Sequence, residues 1–176
     1  MAAKYVAPYR TKGKNDLNVA VAICEAVQRP ATLFVPIKSP EQQAIFSVHR
    51  MREHWVRDQT AIMNRIRALL SELGLVTPVG RSSLMKHVPL IFEDAESELP
   101  QLARVVIHDA YQHLDALNQR IANNEQTFES FAKISNSVQR IMKVRGVGPQ
   151  TATAILASIG NGAQFDKGRD FSAWLS

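Results

Sequence analysis

One cysteine, Cys24, occurs in 176 residues. A disulfide framework and a cysteine metal site are therefore excluded within one chain. Cys24 reads as a buried small apolar residue, in a protein suited to a reducing cytoplasm. No signal peptide opens the chain, and no apolar run is long enough to span a bilayer, so no membrane role is expected. A Gly-rich nucleotide loop, a Gly-x-Ser-x-Gly elbow and the kinase motif set are all missing. His49 and His54 stand five apart, as do His108 and His113, whereas helical metal pairs use three or four. Acidic residues are scarce at the start: Asp16 is the first, and Glu25 follows only after Cys24. A metal-dependent nuclease needs several carboxylates converging on Mg²⁺, and this sequence does not assemble such a set by itself.

What is present is a basic chain of ordinary hydrophobicity, with net charge +5 and a pI near 9.6. The excess sits at the two ends, residues 1–40 and 141–176, while residues 74–98 are net acidic. That distribution suits a polyanionic partner.

Residues 1–15 read as a basic loop or arm. Asp16 is placed to cap a helix over 17–27, with Val19, Ala20, Ile23, Ala26 and Val27 as its apolar stripe. Leu33-Phe34-Val35, between prolines, reads as a short strand. Ser39-Pro40-Glu41-Gln42 is a helix start with a capping box. The long helix that follows carries Val48, Met51, Trp55, Ile62, Ile66, Leu69 and Leu73 as a coiled-coil-like seam, with Gln59 filling its one wider gap, and stops at Gly74. A short helix over 84–92 is expected to be disturbed by Pro89. A second long helix spans about 100–134, with Val106, Ala110, Leu114, Leu117, Ile121, Phe128 and Phe131 in its seam and Asn124 as a polar register-setting position. Two such helices pack antiparallel or pair with a second chain. Because neither seam has an obvious partner for all its apolar surface, a homodimer through the coiled coil is expected.

Chemistry is most legible in IMKVRGVGPQTATAILASIG, residues 141–160. A short apolar run meets a Gly146-Val147-Gly148 turn, and a helix opens at Pro149, where a missing N–H costs nothing. Gly148 is the expected N-cap, Gly146 permits positive φ, and Gly160 stops the helix. Such a turn points free backbone N–H groups outward at the positive end of a helix dipole, a geometry suited to phosphate. Lys143 and Arg145 flank it, and Thr151 adds a hydroxyl. The reading is a DNA-backbone clamp of the helix-hairpin-helix type, formed by Lys143, Arg145, Gly146, Val147, Gly148 and Thr151. The plainer alternative is an αα-hairpin with a glycine turn. A base-excision glycosylase shares the turn pattern, but neither Asp166 nor Asp170 stands in the Val-Asp context its catalytic acid requires, and long coiled-coil helices do not suit it.

Further segments carry a resemblance: Lys14-Asn15-Asp16, Ala22-Ile23-Cys24-Glu25-Ala26, Arg29-Pro30, Phe34 to Ser39, Glu41 to Ala44, Gly146 to Ala152, and Phe165, Gly168-Arg169 and Phe171 to Leu175. In that order they resemble bacterial insertion-sequence transposases of the DEDD type, along essentially the whole chain. The resemblance implies a RuvC-like α/β nuclease domain whose four acids bind Mg²⁺. A dimerising coiled coil follows, and then a C-terminal domain that opens with a helix-hairpin-helix and later supplies a serine nucleophile. It also implies element-end and target DNA as partners, a bridge RNA that guides target choice, and a bacterial cytoplasmic, nucleoid-associated protein.

The sequence departs from that pattern. Asp16 matches one acid, but the position three residues on is Val19. The earlier acids would precede Met1, and the serine region would follow Ser176. The expectation is therefore a mainly α fragment or degraded copy. Residues 1–38 would be a nuclease-domain remnant, 39–135 the coiled coil, and 136–176 the truncated start of the transposase domain. It would bind no Mg²⁺ and would be inactive alone. A standalone helix-hairpin-helix DNA-binding or dimerisation module is the competing reading.

Overall fold

Thirty-three residues from Pro40 to Glu72 form one helix (α3), and thirty-four from Gln101 to Ile134 form another (α5). The computed structural model describes residues 3–11, 13, 15–30, 37–94, 99–160, 162 and 164–175. Before α3 come α1 (Ala3–Val6), a 3-10 turn (Ala7–Tyr9) and α2 (Asp16–Val27). Between the long helices lies α4 (Arg81–Glu93), and after them come α6 (Asn136–Met142), α7 (Pro149–Ile159) and α8 (Gly168–Leu175). Among the described residues no strand is present. The strand expected at Leu33-Phe34-Val35 lies outside the described residues.

The chain divides into two compact units, Pro40–Gly162 and a smaller one made of Met1–Ser39 with Ala163–Ser176. Sequence reasoning placed a boundary at 135/136, whereas the fold groups α6 and α7 with the long helices.

In the larger unit α3 and α5 run antiparallel. Contacts pair His49 with Phe128, Arg52 with Glu125 and Gln59 with Asn118, one number rising as the other falls. The two seams therefore meet each other within one chain, although Met51, Leu102, Val105 and Val106 stay exposed on the long helices.

The seam of α3 is shifted relative to the expected one: Gln59 and Ile66 are buried as expected and Val48, Trp55, Ile62 and Leu69 are half-buried. Its buried residues are Ile45, Gln59, Ile66 and Leu70, while Met51 and Leu73 are exposed. Ile45, Arg52, Gln59 and Ile66 stand seven apart, so two of four positions in one heptad row are polar, and an apolar template steps off the row. On α5, Leu114, Leu117, Ile121, Asn124 and Phe128 are buried as expected, but Ile107 takes the place given to Val106, which is half exposed.

One core cluster joins Ile66, Leu70, Leu84, Val88, Leu99, Ile107 and Leu114, so α4 closes the end of the helix pair. Pro89 sits inside α4 without ending it. A second, smaller cluster of Ala132, Val138 and Ala152 holds α6 and α7 on the far end of α5.

In the smaller unit Asn15, not Asp16, caps α2: its side chain accepts from the Asn18 N–H at 2.8 Å. Asp16 is the first helical residue. Ala22 and Ala26 are buried, whereas Ile23 and Val27 are exposed. Small residues form the inner face because α1 and the 3-10 turn pack closely on α2. Cys24 is exposed, contrary to the expectation of burial. Part of the expected N-terminal arm is helical, and Arg29 lies 5.5 Å over the Tyr9 ring. In α8 the Asp170 carboxylate accepts from the Lys167 N–H at 3.1 Å, and Phe171 packs edge-on to Phe165.

Candidate nucleic-acid interface

The turn between α6 and α7 is built by its glycines and one proline. Ser135 ends α5 with an extended backbone and caps α6, accepting from the Val138 N–H. After α6 the chain tightens: the Lys143 N–H reaches the Arg140 carbonyl and the Val144 N–H the Ile141 carbonyl. Gly146 then adopts φ +87°, a conformation L side chains rarely hold. It lets the Val147 N–H return to the Val144 carbonyl at 3.1 Å. Val147 packs into the small cluster.

Gly148 is the N-cap of α7, extended at φ −90° and ψ 178°, with no side chain to bond the first turn. Pro149 has no N–H, and the first intrahelical bond is Ala152 N–H to the Gly148 carbonyl at 2.9 Å. By helix geometry the N–H groups of Gln150 and Thr151 have no partner inside the helix. Gln150, Thr151, Lys143, Arg145 and Gly146 are all exposed. Gly160 closes the helix at φ +61°. The structure thus brings Lys143, Arg145, Gly146, Val147, Gly148 and Thr151 together on one turn, which presents two cations and the positive end of an eleven-residue helix. That arrangement can hold an anion; it contains no nucleophile paired with a base.

Three side chains that sequence reasoning did not place here, Gln42 having been read as part of a capping box, fix the turn on the long helices. His49 of α3 stacks on Phe128 of α5, with ring centroids 4.3 Å apart. It also meets the Thr153 Oγ1 of α7 at 3.0 Å. The Thr153 hydroxyl donates to the Gln150 carbonyl at 2.9 Å, so its oxygen accepts from His49 Nε2–H. Burial, and secondarily the Arg52 cation, push the His49 pKa below its ordinary value and favour this neutral donor form. Gln42 turns its amide to the Leu156 and Ala157 carbonyls, each at 3.5 Å. A heptad scan that admitted polar residues would have found His49, because it shares a seven-residue row with Val56, Met63 and Leu70.

Asp16 is exposed in the first turn of α2, with the half-buried Val19 one turn on. Among the described residues no group of three or more His, Cys, Asp or Glu side chains is placed to hold a metal ion. A lone exposed carboxylate does not fit the Mg²⁺ site that the resemblance implies. Among the described residues no helix is long and apolar enough to cross a membrane.

Comparison with known proteins bears on the same hairpin. Residues 138–176 match the family model described as Transposase IS116/IS110/IS902 family. The chain is 39% identical over 176 residues to a Pseudomonas aeruginosa protein named "Probable family 20 transposase", covering 99% of this chain and 52% of the relative. It is 33% identical over 175 residues to the Coxiella burnetii "Transposase for insertion sequence element IS1111A", covering 99% and 48%. It is 31% identical over 173 residues to the Yersinia enterocolitica "Transposase for insertion sequence element IS1328", covering 98% and 51%. The chain spans about half the length of the curated relatives it matches. No solved structure matches. Over nearly its whole length the chain is similar to insertion-sequence transposases, and its hairpin and C-terminal helix lie in the stretch that matches the IS116/IS110/IS902 transposase family.

Proposed function

We propose that this chain binds DNA in the transposition of an insertion sequence, with the α6–α7 turn as a helix-hairpin-helix clamp on the phosphate backbone. The observation that carries the reading is the uncapped N-terminus of α7 at the half-buried Gly148, beside the exposed Lys143, Arg145, Gln150 and Thr151 and lying within the matched stretch. Backbone N–H groups and a helix dipole stabilise a phosphate without reading sequence. The clamp therefore supplies affinity and orientation. Element-end and target DNA are its proposed ligands.

Gly148→Asp separates this role from a structural one. Gly148 already has N-cap geometry, and a Cβ there would meet nothing within 4 Å. An aspartate would cap the free N–H groups and complement the dipole, so the melting temperature should hold or rise. The same carboxylate occupies the phosphate position, so affinity for nonspecific duplex DNA should fall. Unchanged duplex binding would overturn the clamp. Lys143→Gln with Arg145→Gln should flatten the dependence of log K on log salt by about two units.

Two finer partners belong to the same proposal. Met51, Leu102, Val105 and Val106 remain exposed on the long helices, which supports self-association of two copies; sedimentation of the purified chain tests it. A bridge RNA would meet the same backbone chemistry, and its competition with duplex DNA tests that.

A further inference from the structure

Beside the hairpin, α5, α6 and the start of α7 enclose a groove of about 420 Å³, lined by Glu129, Ala132, Lys133, Gln139, Met142, Lys143 and Pro149. Two cations face it from different elements. Lys133 stands in the last turn of α5, and Lys143 follows α6. Both are exposed, and among the described residues neither forms an ion pair. The corner between α5 and α6 is held rigid: the Gln139 amide donates to the Lys133 carbonyl at 2.7 Å, and the Ser135 side chain caps α6. The floor is apolar, with Ala132 buried. The one acid on the wall, Glu129, is a turn before Lys133 and outside salt-bridge distance of it, so the lysine's charge is not neutralised there.

We propose that this groove is a second backbone-binding subsite, in which Lys133 contacts a phosphate of the same nucleic acid that the hairpin holds. The inference rests on the clamp reading and extends it to an element outside the matched stretch. Charge complementarity selects the occupant: a polyanion lying along the α7 N-terminus continues between the two lysines, with Lys143 shared by both subsites. Glu129 then opposes binding and limits the affinity of nonspecific association.

A lysine in a helix's last turn also complements the dipole, and that structural role must be kept apart. The experiment is a salt series of fluorescence-anisotropy titrations of the full chain with a nonspecific 20-base-pair duplex. Lys133→Gln should remove one contact, so the ratio of affinities between 50 and 200 mM salt shrinks by about 3- to 4-fold. Glu129→Gln should tighten binding, an effect a structural role for Lys133 would not produce. Lys86→Gln is the matched control. It removes the same charge from α4, at the residue after Met85, whose carbonyl meets Tyr111; Tyr111 is about 33 Å from Lys133 along α5 at 1.5 Å per residue. Binding weakened by Gly148→Asp, with Lys133→Gln and Glu129→Gln both behaving as Lys86→Gln, overturns the groove and leaves the clamp standing. Binding unchanged by Gly148→Asp and by Lys133→Gln overturns both. Lys86, Glu129 and Lys133 are exposed, a Cβ at Gly148 would meet nothing within 4 Å, and coincident melting curves establish that the variants fold.

Discussion

The Tyr111 hydroxyl donates to the Met85 carbonyl at 3.1 Å, completing the hydrogen bond that Pro89 leaves open. In an α-helix the carbonyl of residue 85 accepts from the N–H of residue 89, and proline has none. Tyr111 supplies the missing donor from the facing helix. Burial, then the nearby Asp115 carboxylate, push its pKa upward, so the phenol stays protonated at ordinary pH. Tyr111→Phe should therefore cost about 1–2 kcal/mol of stability. In a Pro89→Ala background, where the backbone donor returns, the cost should fall well below that. Denaturant unfolding of the four proteins in the cycle measures the coupling; a coupling near zero would remove this account of how α4 survives its proline.

His49 makes the helical junction sensitive to acid. Its pKa lies below the ordinary value in the folded state, so the unfolded chain takes up a proton first as pH falls. Stability contributed by the neutral imidazole is present above the unfolded pKa of about 6.5 and is lost as pH falls below it toward the folded value. Urea unfolding at pH 7.5 and 5.5 should show the drop. His49→Gln keeps a donor for Thr153 without a titrating group and should flatten the profile; an equally steep profile in that variant would assign the acid sensitivity elsewhere.

The register of α5 predicts a contrast between two truncations. Leu114 is fully buried, whereas Val106, in the apolar row read from sequence, is half exposed. Leu114→Ala should cost about 2–5 kcal/mol, and Val106→Ala should stay within about 0.5 kcal/mol. Comparable losses in thermal or chemical unfolding would restore the sequence-derived seam.

Gly160 is constrained twice. Its φ is +61°, and a Cβ there would lie 2.7 Å from the Gln42 amide nitrogen. Gly160→Ala should cost about 1–3 kcal/mol from backbone strain, and it should also push Gln42 off the Leu156 and Ala157 carbonyls. Gly74, at φ +78° with nothing within 4 Å, isolates the strain. Gly74→Ala should cost less than Gly160→Ala, and a Gln42→Ala background should narrow the gap. A gap unaffected by Gln42→Ala would mean that the side-chain contact contributes nothing.

Local chemistry was readable without coordinates. Gly146, Pro149 and Gly160 take the conformations their types dictate, because a missing Cβ or a fixed ring acts on its own residue and immediate neighbours. Helix lengths followed for the same reason: Pro40 and Gly74 bracket α3, and the periodicity over 100–134 outlines α5. The positions of Leu114, Leu117, Ile121, Asn124 and Phe128 in the seam were equally legible, since apolar residues dominate that row.

The tertiary structure decided what depends on a partner from elsewhere in the chain. Arg52 enters the seam of α3 because Glu125 meets it there, and Gln59, which fills a gap in the expected seam, finds its partner in Asn118. Val106 and Ile107 are adjacent apolar residues, and only packing against α3 and α4 selects Ile107. Pro89 reads as a break until Tyr111 offers its hydroxyl. Lys133 is an ordinary helix-end lysine in sequence, and the turn at Ser135 places it across a groove from Lys143. The two long helices and the glycine turn before α7 were legible because their causes are local. The pairing of the helices and the surface beside the hairpin depend on contacts between residues tens of positions apart, and only the folded chain determines those.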